Sequence, residues 1–417
     1  MRVAIVGGGY SGTIAAVEAA RALRDAEISL IDKAGRFAAG AAYSTRSPGH
    51  LLNVPARGMS ALADDPEHFV RWAEREGLGG RDQFLPRREF GRYLREVLAG
   101  VPQVRRVTDE ATSLEGDALA LASGERISAD VVLLAGGNYG SRLPGPLGER
   151  AIQDPWGAGG AEAVQSAAAR GGEVLLVGTG LTMVDMAISL EEAGFAGRIT
   201  ACSRRGLVPR PHLAEAEAPL EREPPSGLAN LVRDVRGHHP WRASVDGLRP
   251  HSRAIWRGLS ETEKKRFLRH ARPWWDAHRH RIAPAVGRRI AALREAGRLE
   301  VMAGRIAEVD GDSVTIRRRG GGELRRRFAA VINCTGPEGD VARIGDPLIR
   351  QLLASGRAMR DPLGQGLQVD ERSRVLGAGE SPPLYALGPL SRGAFWEIVA
   401  VPDIRVQARD VVRALSA

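Results

Sequence analysis

The stretch that decides the fold is Arg2-Val3-Ala4-Ile5-Val6, running into Gly7-Gly8-Gly9-Tyr10-Ser11-Gly12 and then into Thr13 to Arg24. The first five residues read as a buried parallel strand, and Ala15, Ala16, Ala19, Ala20 and Leu23 fall on one face of the helix after the loop. Glycine at the first, third and sixth loop positions is what a strand-turn-helix needs around a dinucleotide. Gly7 allows the turn, Gly9 lets backbone approach a pyrophosphate, and Gly12 lets helix and strand pack closely. The next strand, Ile28 to Ile31, ends at Asp32, at the expected distance of about 20 residues past the loop. A carboxylate there can accept both ribose hydroxyls.

The same plan recurs midway. Val174-Leu175-Leu176-Val177 leads into Gly178-Thr179-Gly180-Leu181-Thr182-Met183 and an apolar helix through Leu190. Met183 occupies the sixth position, so this helix is expected to sit further from its strand. After the next strand, Arg198 to Cys202, the slot of the acid holds Ser203, followed by Arg204 and Arg205. A carboxylate would repel a 2′-phosphate, whereas Ser-Arg-Arg can hydrogen-bond and neutralise one, which favours NADPH over NADH at this site. That assignment leaves FAD for the N-terminal loop.

A second repetition supports two sites. Leu114 to Leu121 with a turn at Ser123-Gly124-Glu125 leads to Asp130–Leu134 and Ala135-Gly136. Val309 to Ile316 with Gly320-Gly321-Gly322-Glu323 leads to Ala330–Asn333 and Cys334-Thr335-Gly336. Alternating strands around Gly-Asp turns predict β-meanders, each returning a strand to a sheet. Residues 206 to 295 break this pattern. They are rich in Pro, Arg, His and Trp, with helices expected near Glu261–His270 and Ala283–Ala296, and Trp241, Trp256, Trp274 and Trp275 suit a staple onto the host domain or a lid. The expected class is α/β: two Rossmann-like dinucleotide-binding domains, each with a β-meander, plus a mainly helical insertion. The expected domains are residues 1–155 for FAD, 156–319 for NAD(P)H with the insertion at about 206–295, and 320–417 returning to the FAD domain.

At 417 residues and 43% hydrophobic content the chain can bury large cores. Its longest apolar runs fall far short of the roughly 18 residues of a membrane span, and Gly7 ends the first one too early for a secretion signal, so a cytoplasmic protein is expected. The net charge is +9, yet among the 59 basic residues only Lys33, Lys264 and Lys265 are lysines, and the arginines are spread along the chain. Composition bias explains this better than nucleic-acid binding. Cys202 and Cys334 lie far apart and form no C-x-x-C, which argues against dithiol chemistry. His278 and His280 are two apart on an expected helix and face different ways, so no metal site is expected.

Taken with the two fingerprints, Gly40-Ala41-Ala42-Tyr43, His50-Leu51-Leu52-Asn53-Val54-Pro55-Ala56, Asp65-Pro66-Glu67-His68-Phe69, Phe84-Leu85-Pro86-Arg87, Asp154-Pro155-Trp156, Arg272-Pro273-Trp274-Trp275-Asp276 and Leu387 to Glu397 resemble a bacterial FAD/NAD(P)-binding family. That family belongs to the two-dinucleotide-binding-domain superfamily. It is akin to the N-hydroxylating and flavin-containing monooxygenases, with FAD-dependent urate hydroxylases among its relatives. The resemblance implies that NADPH reduces FAD and that reduced flavin then reacts with molecular oxygen to a C4a-peroxyflavin that hydroxylates a small molecule. Two alternatives stand beside it: an NAD(P)H dehydrogenase or reductase without oxygen insertion, and a flavin-binding sensor or scaffold whose second site has decayed.

The expected cofactor contacts are Gly7, Gly9, Tyr10, Ser11, Gly12, Asp32, Lys33, Asn53, Arg87, Gly136, Gly388 and Ile398 for FAD, and Gly178, Gly180, Thr182, Ser203 and Arg204 for NADPH. Val401-Pro402-Asp403 opens a helix whose N-terminus, aimed at the flavin, would stabilise its anionic reduced form. This places Trp396, Glu397 and Ile398 beside the ring, and His50 to Ser60 over it. His50, Asn53, Trp396 and Glu397 are the catalytic candidates. A cap and hydrophobic staple for the last helix would account equally well for residues 396–398, and a salt bridge at a helix start for Arg87.

Overall fold

Val3, Ile5, Leu30 and Leu133 point into one apolar cluster while Ala4, Ile31, Val132 and Leu134 point into another, so the central strands of the first sheet are buried on both faces. That is why they read as unbroken apolar runs. In this computed structural model, which describes residues 1–143, 147, 150–213, 215, 217–379 and 382–416, the first sheet is wholly parallel. Its order is Leu384–Ala386, Val131–Leu134, Arg2–Val6, Glu27–Ile31 and Val104–Val107. One face carries the helices Tyr10–Ala22, Arg87–Ala99 and Val401–Ser416. The other carries the three-stranded meander Ala111–Glu115, Ala118–Leu121 and Arg126–Ser128.

The second sheet has seven strands in the order Glu323–Arg327, Ser313–Arg318, Leu299–Asp310, Arg198–Ser203, Glu173–Val177, Ala330–Asn333 and Ala151–Ile152. Leu299–Asp310 serves two purposes. Its first half pairs in parallel with Arg198–Ser203, and beyond Gly304 it turns antiparallel to begin the second meander. Both expected meanders are therefore present, each handing its chain back to the centre of a parallel sheet.

The boundaries differ from the sequence expectation. Ala151–Ile152 already pairs with Ala330–Asn333, and the chain stays in the second sheet to Asn333, where residues 156 and 319 were the expected limits. A two-residue strand shows no periodicity, and Glu323–Arg327 offers only Leu324 among charged residues, so neither edge carries an apolar signal. The insertion is also shorter than expected. Pro284–Glu295 buries Val286, Ile290 and Leu293 in the core of the second domain, which makes it the crossover helix between two parallel strands. The residues before it are inserted: an irregular segment from Gly206, then helices from Leu228 to Arg279.

The insertion springs from the carboxyl end of Arg198–Ser203 and docks on the first domain. Trp256 stacks on Trp396 with centroids 4.9 Å apart, and its Nε1 donates to the Gly393 carbonyl at 2.8 Å. Trp275 Nε1 donates to Glu397 Oε1 at 3.0 Å. Trp274, by contrast, is 48% exposed. Elsewhere the chain crosses between domains through Tyr139–Gly140 and Pro337–Glu338, which pair as a short antiparallel ribbon.

Candidate active-site cleft

Gly7 takes φ +109°, and a Cβ there would collide with the carbonyl oxygen of Ala135. Its amide donates to the Ile31 carbonyl at 2.8 Å, so the loop is fastened between two neighbouring strands. Gly12 sits beneath the loop, where a Cβ would strike the Gly7 carbonyl. In front of Gly9 there is room, since a Cβ there would meet nothing nearer than the Gly40 Cα at 3.7 Å. Gly9 is the N-cap of Tyr10–Ala22 and supplies no side-chain acceptor, so the helix N-terminus is left open to an anion.

Asp32 accepts from the amides of Gly8 at 2.9 Å, Ala34 at 3.0 Å and Arg36 at 3.1 Å. It thereby shapes the loop, and a carboxylate with about four acceptor positions still has capacity for a ribose hydroxyl. Gly7, Gly9, Tyr10, Ser11, Asp32, Lys33 and Gly136 all line one cleft of about 2370 Å³. Lys33 reaches Glu110 at 3.3 Å. Tyr10 is buried, and its hydroxyl donates to the Val401 carbonyl at 3.2 Å, tying the loop to the last helix. Gly388 allows the returning segment to press against Ser11, whose Oγ a Cβ would meet at 2.6 Å. An open helix N-terminus, a close-approach glycine and a carboxylate at the strand end together fit the adenosine and pyrophosphate of FAD.

The second loop repeats the backbone. Gly178 takes φ +116°, a Cβ there would collide with the Cys334 carbonyl, and its amide donates to the Cys202 carbonyl at 2.7 Å. Gly180, the N-cap of Leu181–Glu192, has no side-chain cap and open space before it. Met183 is fully buried, so the degraded fingerprint still closes its core. Gly178, Gly180, Thr182, Ser203 and Arg204 line the same cleft as the first loop. Ser203 Oγ lies 2.7 Å from Thr179 Oγ1 and accepts from the Gly206 amide at 3.0 Å. Arg305 and Arg319, contributed by the meander, join Arg204 and Arg205 on the wall. Sequence reasoning missed that pair, because arginines among many others on a meander carry no signal of their own.

Three of the four catalytic candidates are placed elsewhere than expected. His50 is 3% exposed and does not line the cleft. Its Nδ1 meets Thr45 Oγ1 at 2.7 Å, and its Nε2 faces the Asp185 carbonyl and Ser189 Oγ, each at 3.0 Å. Burial lowers its pKa, and a neutral ring wedged between domains is an interface residue. Trp396 and Glu397 are buried under the insertion rather than in the cleft wall. Burial acts to raise the Glu397 pKa, but Arg279 at 3.0 Å, His280 and the Trp275 hydrogen bond outweigh it and hold the carboxyl below its ordinary value. The insertion brings cations that need a carboxylate, and Glu397 supplies it. Ile398, expected at the flavin, packs in the core of the first domain.

Arg87 is held by contacts across the domains. It borders the cleft, but its guanidinium forms a bidentate pair with Asp185, 2.9 and 3.1 Å, and its Nε donates to the Leu51 carbonyl at 3.0 Å. This is a salt bridge between the domains at a helix start, the alternative raised for Arg87 beside a cofactor contact. Asn53 does line the cleft, with its backbone carbonyl accepting from His212 Nε2 at 3.0 Å. The returning segment presents Leu390, Arg392, Val399, Ala400 and Val401 to the cleft in place of residues 396–398.

Cys202 and Cys334 are free and buried. Burial pushes the Cys202 thiol up to about 11 and the Cys334 thiol further still. Neither is suited to thiolate chemistry. Among the described residues no group of three His, Cys, Asp or Glu side chains is placed to hold a metal ion, and no helix is long and apolar enough to cross a membrane.

Residues 4–139 match a protein-family model described as FAD-NAD(P)-binding. No curated protein matches the sequence. Similar solved structures include the reduced form of ornithine hydroxylase from Pseudomonas aeruginosa, 16% identical over 100% of this chain and 98% of that one, with a TM-score of 0.68. The ornithine N-hydroxylase of Kutzneria sp. 744 with reduced FAD, NADP+ and L-ornithine is 16% identical over 99% and 98%, with a TM-score of 0.66. Thioredoxin reductase from T. acidophilum is 15% identical over 99% and 97%, with a TM-score of 0.54. The chain thus shares its fold with these flavoproteins, and its residues 4–139 match the FAD-NAD(P)-binding model.

Proposed function

We propose that this protein is an NADPH-dependent flavin monooxygenase that hydroxylates a small molecule. The observation that carries the reading is that two open helix N-termini, at Gly9 and Gly180, face one continuous cleft. FAD, when bound, supplies hydride acceptance and, once reduced, the reaction with molecular oxygen.

The chain's own residues bind, orient and shield. Gly7 to Ser11 receive the FAD pyrophosphate on backbone amides, and Asp32 accepts from the ribose. Gly178 to Thr182 receive the second pyrophosphate, with Ser203, Arg204, Arg305 and Arg319 selecting the 2′-phosphate. Asn53 would orient flavin or substrate, and the Val401 helix N-terminus would stabilise negative charge on a flavin held in the cleft. The insertion closes one end of the cleft against water. The FAD-binding domain then comprises residues 1–150 and 334–416, and the NADPH-binding domain residues 151–333. Since NADPH is supplied in the cytoplasm, we place the protein there.

Likeness to ornithine hydroxylases supports the oxygen step, and likeness to a thioredoxin reductase supports a reductase as the second reading. The buried cysteines weigh against the dithiol form of that second reading. Retention at Gly178 of a positive-φ turn that a Cβ would block weighs against a decayed second site. Anaerobic mixing of FAD-loaded protein with NADPH is expected to bleach the flavin band, and a flavin that stays yellow refutes both enzyme readings. Air is then expected to yield hydroxylated product with the correct substrate. Peroxide or reduced acceptor without product across a broad amine and heterocycle panel would favour the reductase.

A further inference from the structure

The end of the cleft beneath the insertion is walled by arginines, of which four have a carboxylate, Arg242 donates to the Pro211 carbonyl and Arg269 is exposed. Arg279 pairs with Glu397 at 3.0 Å, Arg272 with Asp276 at 3.3 Å, Arg281 with Asp246, and Arg249 lies 3.9 Å from Asp403. Arg392 differs. Among the described residues it has no carboxylate within ion-pair distance and no side-chain hydrogen bond, although it lines the cleft. Its guanidinium carbon lies 4.4 Å from the centroid of Trp396, and Arg272 lies 5.5 Å from the same ring. Arg392 Nε and Trp396 Nε1 are both buried without an acceptor. Burial, reinforced by Arg272, lowers the Arg392 pKa to about 10, which leaves it cationic at neutral pH.

Arg392 and Trp396 therefore bring two donor groups together with no acceptor of their own, beside the Asp276-paired Arg272. A buried unpaired guanidinium is costly unless an anion completes it. Space for one is present, since Arg272 and Arg392 also line a side chamber of about 40 Å³ that shares Asn138 and Leu390 with the main cleft. About 10–15 Å³ of such space holds one water, so this volume suits a small head such as a carboxylate and not a ring. Gln365 and Glu338 complete the chamber wall, and Glu338 Oε1 already accepts the Asp340 amide at 2.9 Å.

We propose that the substrate is an anion and that Arg392, with Arg272 beside it, receives its carboxylate at this chamber. The proposal rests on the cleft being the site of the flavin reaction, and it gives that site a substrate class. The test titrates FAD-loaded protein with formate, acetate and benzoate, and in parallel with formamide, acetamide and benzamide, at constant ionic strength. Indole fluorescence and the visible flavin band are followed. At least one carboxylate is expected to give a saturable change where its amide gives none. Arg392→Met, which keeps a long side chain on Trp396, is expected to weaken that carboxylate at least tenfold, and Arg392→Lys to recover part of the loss.

Equal responses to acids and amides, no response to any carboxylate, or unchanged affinity in Arg392→Met would each overturn the proposal. So would release of FAD from Arg392→Met with the carboxylate response intact, because Arg392 would then serve the cofactor. Should Arg392→Met not fold, the comparison of acid with amide on the unaltered protein and the Arg392→Lys titration decide. The two readings fail separately. Carboxylate selectivity without bleaching by NADPH removes the function and keeps the anion site, whereas bleaching without selectivity does the reverse.

Discussion

The two glycine loops share a backbone and differ in the side chains around it. Gly7 is held between Ile31 and Ala135 as Gly178 is held between Cys202 and Cys334, and each loop opens an uncapped helix. At the end of the next strand the first has Asp32, which bonds three amides of its own loop. The second has Ser203 with Arg204, Arg205, Arg305 and Arg319 along the wall. On the proposed function, the backbone geometry reserves a place for a pyrophosphate and the side chain at the strand end chooses the nucleotide. The halves also differ in how they hold each other: a buried ion pair at Arg87 on one side, a stack of indoles at Trp256 and Trp396 on the other.

The hardest break in this comparison comes from the backbone. Gly7→Ala must place a methyl into a carbonyl at positive φ, and we expect it to lower FAD affinity more than about 100-fold, equivalent to about 3 kcal/mol, measured by flavin retained after dialysis. Gly178→Ala should leave the flavin bound and abolish its anaerobic reduction by NADPH. If both variants lose the same cofactor, the division of labour between loops is wrong.

Next in size is the ion pair between halves. Asp185→Ala leaves Arg87 buried and unpaired, at a cost of about 3–5 kcal/mol, so thermal unfolding should begin well below that of the parent. Replacing both residues by Met and Leu is expected to recover much of the loss, and equal destabilisation by single and double replacements would deny the pairing.

His212 ties the inserted segment to Asn53, and burial, aided by the nearby Arg281, lowers its pKa to about 4. Its ordinary value is higher, so the unfolded chain takes up a proton first as pH falls. Stability is therefore full above about pH 6.5 and lost as pH drops toward 4, amounting to about 2 kcal/mol between pH 7 and 5. His212→Gln should flatten this acid limb in melting curves, and an unchanged slope would assign the limb to other groups.

The smallest effect sharpens the nucleotide choice. Arg204→Ala is expected to raise the NADPH Michaelis constant about tenfold, roughly 1.4 kcal/mol, with NADH unaffected, while Ser203→Asp should move preference toward NADH. Unchanged discrimination in both would place the 2′-phosphate elsewhere.

Much of this frame was legible. Gly7, Gly9, Gly12 and Asp32 act through local spacing, and the apolar runs around them reflect burial on both sheet faces. Roles set by distant partners were not. Arg87 and Asp185 are 98 residues apart, and Trp256 reaches Gly393 across 137, so no window on the sequence shows that they meet. Trp396 and Glu397 stand beside the last helix as expected, but the insertion covers them, and the cleft receives Arg392 and Val399 instead.

The paired crossing at Tyr139–Gly140 and Pro337–Glu338 has a topological meaning. Entry and exit of the second domain are hydrogen-bonded neighbours, so to the first domain everything between them is one enlarged hairpin loop. The crossing also marks Gly140 and Pro337 as the two points at which a short turn could rejoin the first domain without the second.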